Sequence, residues 1–178
     1  MRKPPAEIVA SLLAVTTIFI GMPPWHLPPC AIFVSWAGTF AAGGPKPDVM
    51  RKMWITMPIG SIAACLIVLL LKWSGSFLTG GAALAAQCVI LFCLNGLMMS
   101  LGRFKTFSFV PGMFFGFASY FATMFGGFGP VPGDPIVALV ACVAMNALGP
   151  IYAWLTADLG AHHHPAKEEV RSVEHAVS

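Results

Sequence analysis

The sequence predicts an all-α, polytopic integral membrane protein with about six transmembrane helices, chiefly from its composition and from the placement of its charges. Of the 178 residues, 57% are hydrophobic and only 10% are charged, whereas roughly a quarter of the residues are charged in a soluble domain. Apolar runs continue from Ala6 to about residue 157, which excludes a secreted protein with one cleaved signal peptide. We therefore expect a single transmembrane domain over residues 1–157 and a polar, cytoplasmic C-terminal tail over residues 158–178.

Six apolar segments are separated by charges and by clusters of proline or glycine. A hydrocarbon core about 30 Å thick requires roughly 20 apolar residues per helix, and the predicted spans cover residues 6–22, 29–43, 50–73, 79–101, 107–127 and 135–155. The second span is short, so it either recruits residues from the preceding PPWHLPP break or is partly re-entrant. Pro58 and Pro150 interrupt the third and sixth spans, and we expect Pro150 to kink its helix beside Asn146.

With six alternating spans, the basic residues collect on the side that holds both termini. Lys72 is the one basic residue near the opposite side, against nine on the first: Arg2, Lys3, Lys46, Arg51, Lys52, Arg103, Lys105, Lys167 and Arg171. Five spans would scatter these charges over both sides. The asymmetry predicts that both termini are cytoplasmic.

Two of the predicted spans share a faint internal similarity. Residues 33–44 (FVSWAGTFAAGG) and 109–127 (FVPGMFFGFASYFATMFGG) both begin with Phe-Val and end with Gly-Gly. They are the middle helices of two three-helix halves, and an odd number of helices per half gives the halves opposite orientations, as in the 3+3 inverted repeats of many transporters. The alternative explanation for this similarity is that membrane helices in general share the same residue types.

The fifth span separates into two faces when its residues are placed about 100° apart on a helix. One narrow face carries Gly112, Gly116, Ser119 and Thr123, and the opposite face carries phenylalanines 114, 117, 121, 125 and 128. Small residues at this spacing predict either a close helix–helix seam or a narrow solute path lined by the hydroxyls. The phenylalanine face would contact lipid or a neighbouring protomer, or it would form an apolar constriction.

The start of this span, Ser108 to Gly112, allows two interpretations. Pro111 fits the first turn of a helix, where N–H groups have no intrahelical acceptor, and Ser108 would then be the N-cap. Alternatively the backbone is unwound inside the membrane, which is tolerated only where it is buried in protein or faces a watery cavity.

The remaining polar residues exclude several functions. No acidic or basic residue lies in the middle of a predicted span, which argues against a proton-driven pump with a buried carboxylate relay. Motifs of hydrolases, P-loop proteins and zinc enzymes are absent, so we expect no enzyme, no cofactor, no metal site and no nucleic-acid partner. The five scattered cysteines are expected to be packing residues. The run from His162 to His164 is expected to be part of a solvated tail with incidental metal affinity.

At this point a family resemblance is visible. Residues 35–40 (SWAGTF) together with residues 107–122 (FSFVPGMFFGFASYFA), and most specifically Ser108 to Gly112, resemble the small bacterial inner-membrane proteins of the YcdZ type. The resemblance covers about residues 8–157. It implies a protein of five or six helices in the bacterial cytoplasmic membrane, and it implies no activity, substrate or cofactor.

Two functional hypotheses follow. The first is a homo-oligomeric channel or facilitative permease for a small neutral or weakly charged solute, with a path lined by Ser35, Ser108, Pro111, Gly112, Gly116, Ser119, Thr123 and Asn146. The alternative is a structural or assembly subunit of a larger membrane complex, suggested by the phenylalanine face and by the lack of ionisable residues at mid-membrane.

Overall fold

The fold is all-helical, as the sequence predicts. The computed structural model describes residues 3–161, and within them the chain forms six α-helices and one short 3₁₀ helix: α1 (Ala6–Gly21), α2 (Pro29–Ala41), α3 (Pro47–Gly75), α4 (Gly80–Leu101), the 3₁₀ turn Lys105–Phe107, α5 (Val110–Phe125) and α6 (Pro135–Leu159). These residues contain no strand, only an isolated bridge between Pro5 and Ala161. The tail with its histidine run lies outside the described residues.

The helices differ in length. α3, α4 and α6 are long and apolar enough to cross a membrane, whereas α1, α2 and α5 are apolar but have only 16, 13 and 16 residues. At about 1.5 Å per residue, α2 is too short to span a hydrocarbon core by itself. It begins with Pro29, which is the last residue of the PPWHLPP break and the predicted start of the span, and it includes no earlier residue of the break, because Pro28 is its N-cap.

Helix pairing follows a pattern that relates the two halves of the chain. The two most extensive pairs are α3 with α5 and α2 with α6, while α4 packs on α3 and α1 packs on α6. If α1, α2 and α3 are exchanged for α4, α5 and α6, the α3–α5 pair becomes the α6–α2 pair, and the α4–α3 pair becomes the α1–α6 pair. Such an exchange is what a repeat of three helices predicts.

The same relation is visible inside α2 and α5. Thr39 donates its hydroxyl to the carbonyl of Ser35 and Thr123 donates to that of Ser119, both at 2.8 Å and both offset by 84 residues. The offset also relates the helix ends, where the N–H groups of Gly44 and Phe128 donate to the two threonine carbonyls. This offset pairs Gly43 with Gly127, but it does not reproduce either predicted match, because the two Gly-Gly pairs are 83 residues apart and the two Phe-Val pairs are 76 residues apart.

Contacts between loops show how the helices alternate. The backbone N–H of Ala161, after α6, donates to the carbonyl of Pro4, before α1, at 2.7 Å. At the other end, Gly129 N–H bonds to the carbonyl of His26 and Lys72 bonds to that of Gly133. The two ends of the described chain are therefore adjacent, and the two halves run in opposite directions.

Candidate functional site

The small face of α5 lies in a helix seam. A Cβ at Gly116 would collide with the carbonyl of Met57 on α3, one at Gly60 would collide with the carbonyl of Met113, and one at Gly112 would collide with the Thr56 hydroxyl. The Ser61 hydroxyl donates to the Gly116 carbonyl across the same contact at 2.9 Å. The absence of side chains is therefore what allows the two backbones to touch. On the opposite face, Phe114 and Phe125 are exposed, whereas Phe117 and Phe121 pack against the core.

The predicted path hydroxyls are buried and bonded within their own helices. Ser35 donates to the carbonyl of Ala31, Ser119 to that of Phe115 and Thr123 to that of Ser119, at 2.8 to 2.9 Å. A serine or threonine hydroxyl that bonds back to its own helix needs no further partner. Ser35 also fills the space beside Gly149 on α6, where a Cβ would meet its hydroxyl.

The start of α5 is an ordinary helix start. Val110 is its first residue, Pro111 follows in the first turn, and Phe109 occupies the N-cap position. The prediction that Ser108 caps this helix is wrong, because its hydroxyl donates to the Lys105 carbonyl at 3.0 Å, at the end of the 3₁₀ turn. Ser108 and Pro111 are both exposed, so they are not among the buried polar residues of the bundle.

A central polar cluster lies where α3, α5 and α6 meet, and we define it as Ser61, Cys142 and Asn146. The Cys142 thiol is 3.7 Å from the Ser61 hydroxyl and accepts from Asn146 Nδ2 at 3.4 Å. The Ser61 hydroxyl also donates to the Gly116 carbonyl of α5. All three side chains are buried, with exposed fractions of 2% or less. The cluster is therefore a small uncharged polar centre in an apolar bundle.

One atom of the cluster has no partner. Among the described residues, Asn146 Oδ1 is buried and accepts no hydrogen bond. Buried polar atoms are paired in the large majority of cases, and an unpaired one costs free energy in an apolar environment. The Asn146 oxygen therefore marks a position where a hydrogen-bond donor is expected.

Asn146 is also part of a pocket between α3 and α6. This Asn146 pocket has a volume of about 280 Å³ and is lined by Met53, Trp54, Met57, Pro58, Val143, Asn146 and Ala147. Met53, Met57 and Asn146 are buried, while Trp54 and Ala147 are exposed. Two of the lining residues are joined by a hydrogen bond between α3 and α6, in which the Trp54 indole N–H donates to the Ala147 carbonyl at 3.0 Å.

Of the eight predicted site residues, Asn146 thus lies in the central polar cluster, whereas the other seven lie in helix seams or at the start of α5. Sequence reasoning missed Ser61, Cys142 and the α3 wall of the pocket. The signal for Trp54 was present, since it precedes Pro58 by four residues as Asn146 precedes Pro150. Within residues 3–161, no group of three or more His, Cys, Asp or Glu side chains could hold a metal ion.

Comparison with known proteins places the chain in a family. The sequence profile of a family described as a protein of unknown function (DUF1097) matches residues 7–161, which include the six helices except for the first residue of α1. The chain belongs to the DUF1097 family. Among proteins similar to this DUF1097 chain is the uncharacterized protein YahC of Escherichia coli (strain K12), 28% identical over 117 residues that cover 65% of this chain and 70% of YahC. No solved structure matches the chain.

Proposed function

We propose that this protein is a channel or facilitative permease of the bacterial inner membrane for a small neutral or weakly charged solute. The observation that carries the proposal is the unpartnered, buried side-chain oxygen of Asn146, a residue that lines a pocket of about 280 Å³. An acceptor without a protein donor, on a residue that lines a space for a small molecule, is the feature expected of a site that a solute completes.

The place of the pocket in the fold supports transport. α3 and α6 are equivalent helices of the two halves, and each contains a proline, Pro58 in one and Pro150 in the other. Transporters commonly build their solute sites from interrupted helices where two repeats meet. The pocket is lined by uncharged side chains, which favours a neutral solute, and these offer neither a nucleophile nor an acid–base pair, so we propose passage without catalysis.

Charge placement supports the proposed orientation. Lys46, Arg51 and Lys52 lie between α2 and α3 or in the first turns of α3, and Lys3 bonds to the carbonyl of Asp158 beside the other end of the chain. Basic residues on one side of a bilayer favour a cytoplasmic position for that side. Both termini are therefore proposed to be cytoplasmic. The narrower YcdZ-type membership, carried by Ser108 to Gly112 and residues 35–40, is part of the same proposal.

We propose further that the protein forms a homo-oligomer through α4. This helix packs on α3, and Met98 is its one buried residue within the described chain. The side chains of Cys88, Phe92, Asn95 and Met99 follow at helical spacing on the side away from α3, with Phe92 80% exposed. A second copy would cover this stripe and give the Asn95 amide a hydrogen-bonding partner, which lipid cannot supply.

The exposed side of α4 also favours the alternative function, a structural subunit within a larger membrane complex. Purification in a mild detergent separates the two functions. The transport proposal expects a homo-oligomer of this chain, whereas the alternative expects a different, stoichiometric membrane partner that remains bound.

Permeation in proteoliposomes tests the transport proposal. Vesicles containing the protein are mixed rapidly with urea, short amides, polyols, ammonia or small carboxylates, and swelling is followed by light scattering. We expect at least one uncharged solute to enter several-fold faster than into empty vesicles, and we expect Asn146→Leu to abolish the excess rate. Gln87→Leu is the matched control, because it removes an exposed amide of α4 that lies outside the pocket and is not part of the proposed α4 contact. The absence of any excess rate for all solutes would contradict the proposal.

A further inference from the structure

The two prolines inside helices act on the Asn146 pocket in the same way. In an α-helix, the carbonyl of a residue accepts from the N–H four residues later, and proline has no N–H. Pro58 therefore leaves the Trp54 carbonyl without its donor, and Pro150 leaves the Asn146 carbonyl without its donor. Trp54 and Asn146 are both residues of this one pocket.

Two residues that line the pocket thus carry three acceptors without their usual donors. Two are the backbone carbonyls of Trp54 and Asn146, and the third is Asn146 Oδ1, which has no partner. The side-chain N–H groups of the same two residues already donate: Trp54 Nε1 to the Ala147 carbonyl and Asn146 Nδ2 to the Cys142 thiol. The remaining lining residues are Met53, Met57, Pro58, Val143 and Ala147, whose side chains provide an apolar surface.

From this arrangement we infer that the Asn146 pocket is selective for small uncharged molecules that donate hydrogen bonds and carry a short apolar group. A ligand with N–H or O–H groups satisfies acceptors that are otherwise unpaired in an apolar environment. A carboxylate would bring negative charge to carbonyl oxygens with no cation beside it, which disfavours it strongly. An isomer without a donor would leave the acceptors unpaired. This inference rests on the proposed function and specifies its substrate class.

Three solutes of nearly equal size distinguish these cases. Propanamide has two N–H donors, N,N-dimethylformamide is its isomer without a donor, and propanoate has the shape of propanamide with a negative charge. Binding to the purified full chain in detergent is measured by saturation-transfer NMR on the solute, which does not require transport. We expect binding of propanamide, with at least fivefold weaker binding of the other two.

Variants connect the selectivity to the three acceptors. Asn146→Leu removes the side-chain oxygen, and Pro58→Ala and Pro150→Ala each restore a donor to one carbonyl. We expect each to weaken propanamide binding about three- to tenfold, the effect of one hydrogen bond. Pro111→Ala is the matched control, since this proline lies in the first turn of α5 and frees no pocket carbonyl. Thermal melting of each variant confirms that it is folded.

The outcomes for the site and for transport are distinguishable. Equal binding of N,N-dimethylformamide or propanoate, or no binding of propanamide to the folded protein, would overturn the inference. Selective binding of propanamide that depends on Asn146 and on both prolines supports it. If propanamide binds selectively but does not permeate proteoliposomes faster than it permeates empty vesicles, the site stands and the transport proposal fails.

Discussion

At the scale of single residues, Gly60 and Gly116 decide how closely α3 and α5 approach. A methyl group at position 116 would collide with the backbone of Met57, whereas one at Gly96 in α4 would meet nothing within 4 Å. We expect Gly116→Ala to lower the free energy of unfolding by about 1–3 kcal/mol, the cost of overpacking a close contact. Gly96→Ala is expected to be neutral or to stabilise the protein by up to about 1 kcal/mol through helix propensity. Thermal unfolding in one detergent measures the stability of both variants. Equal melting temperatures for the two variants would contradict the close contact between α3 and α5.

At the scale of helices, the two last helices begin by different means. Asp134 caps α6 by accepting from the N–H groups of Ile136 and Val137 at 2.8 and 2.9 Å, whereas α5 begins with Pro111 in its first turn and no side-chain cap. We expect Asp134→Ala to cost about 1 kcal/mol of stability and Pro111→Ala to cost less than about 0.5 kcal/mol. Chemical denaturation in detergent measures the difference. A larger loss for Pro111→Ala would indicate that α5 does not start as described.

The helices were largely predictable from the sequence because each is a run of apolar residues ended by charges, glycine or proline. The two faces of α5 were also predictable, since glycine spacing by itself indicates a close contact. The partner of that contact was not, because the glycine in α3 that it requires is isolated in its own sequence. The pocket was half predictable: the kink at Pro150 indicated Asn146, but only the packing of α3 against α6 brings Trp54 to the same pocket.

At the scale of the whole molecule, the two native cysteines on α4 test the proposed homo-oligomer. Cys88 and Cys93 are both exposed, but at about 100° per residue only Cys88 falls on the stripe with Phe92, Asn95 and Met99. Two copies that meet along this stripe would bring their Cys88 residues close enough for a disulfide, which requires Cα atoms roughly 4.4–6.8 Å apart. We expect mild oxidation in membranes to produce a covalent dimer that Cys88→Ala abolishes and Cys93→Ala retains. A dimer that instead depends on Cys93 would place the contact on another side of α4. If the protein with both cysteines present stays monomeric in membranes, the homo-oligomer is contradicted.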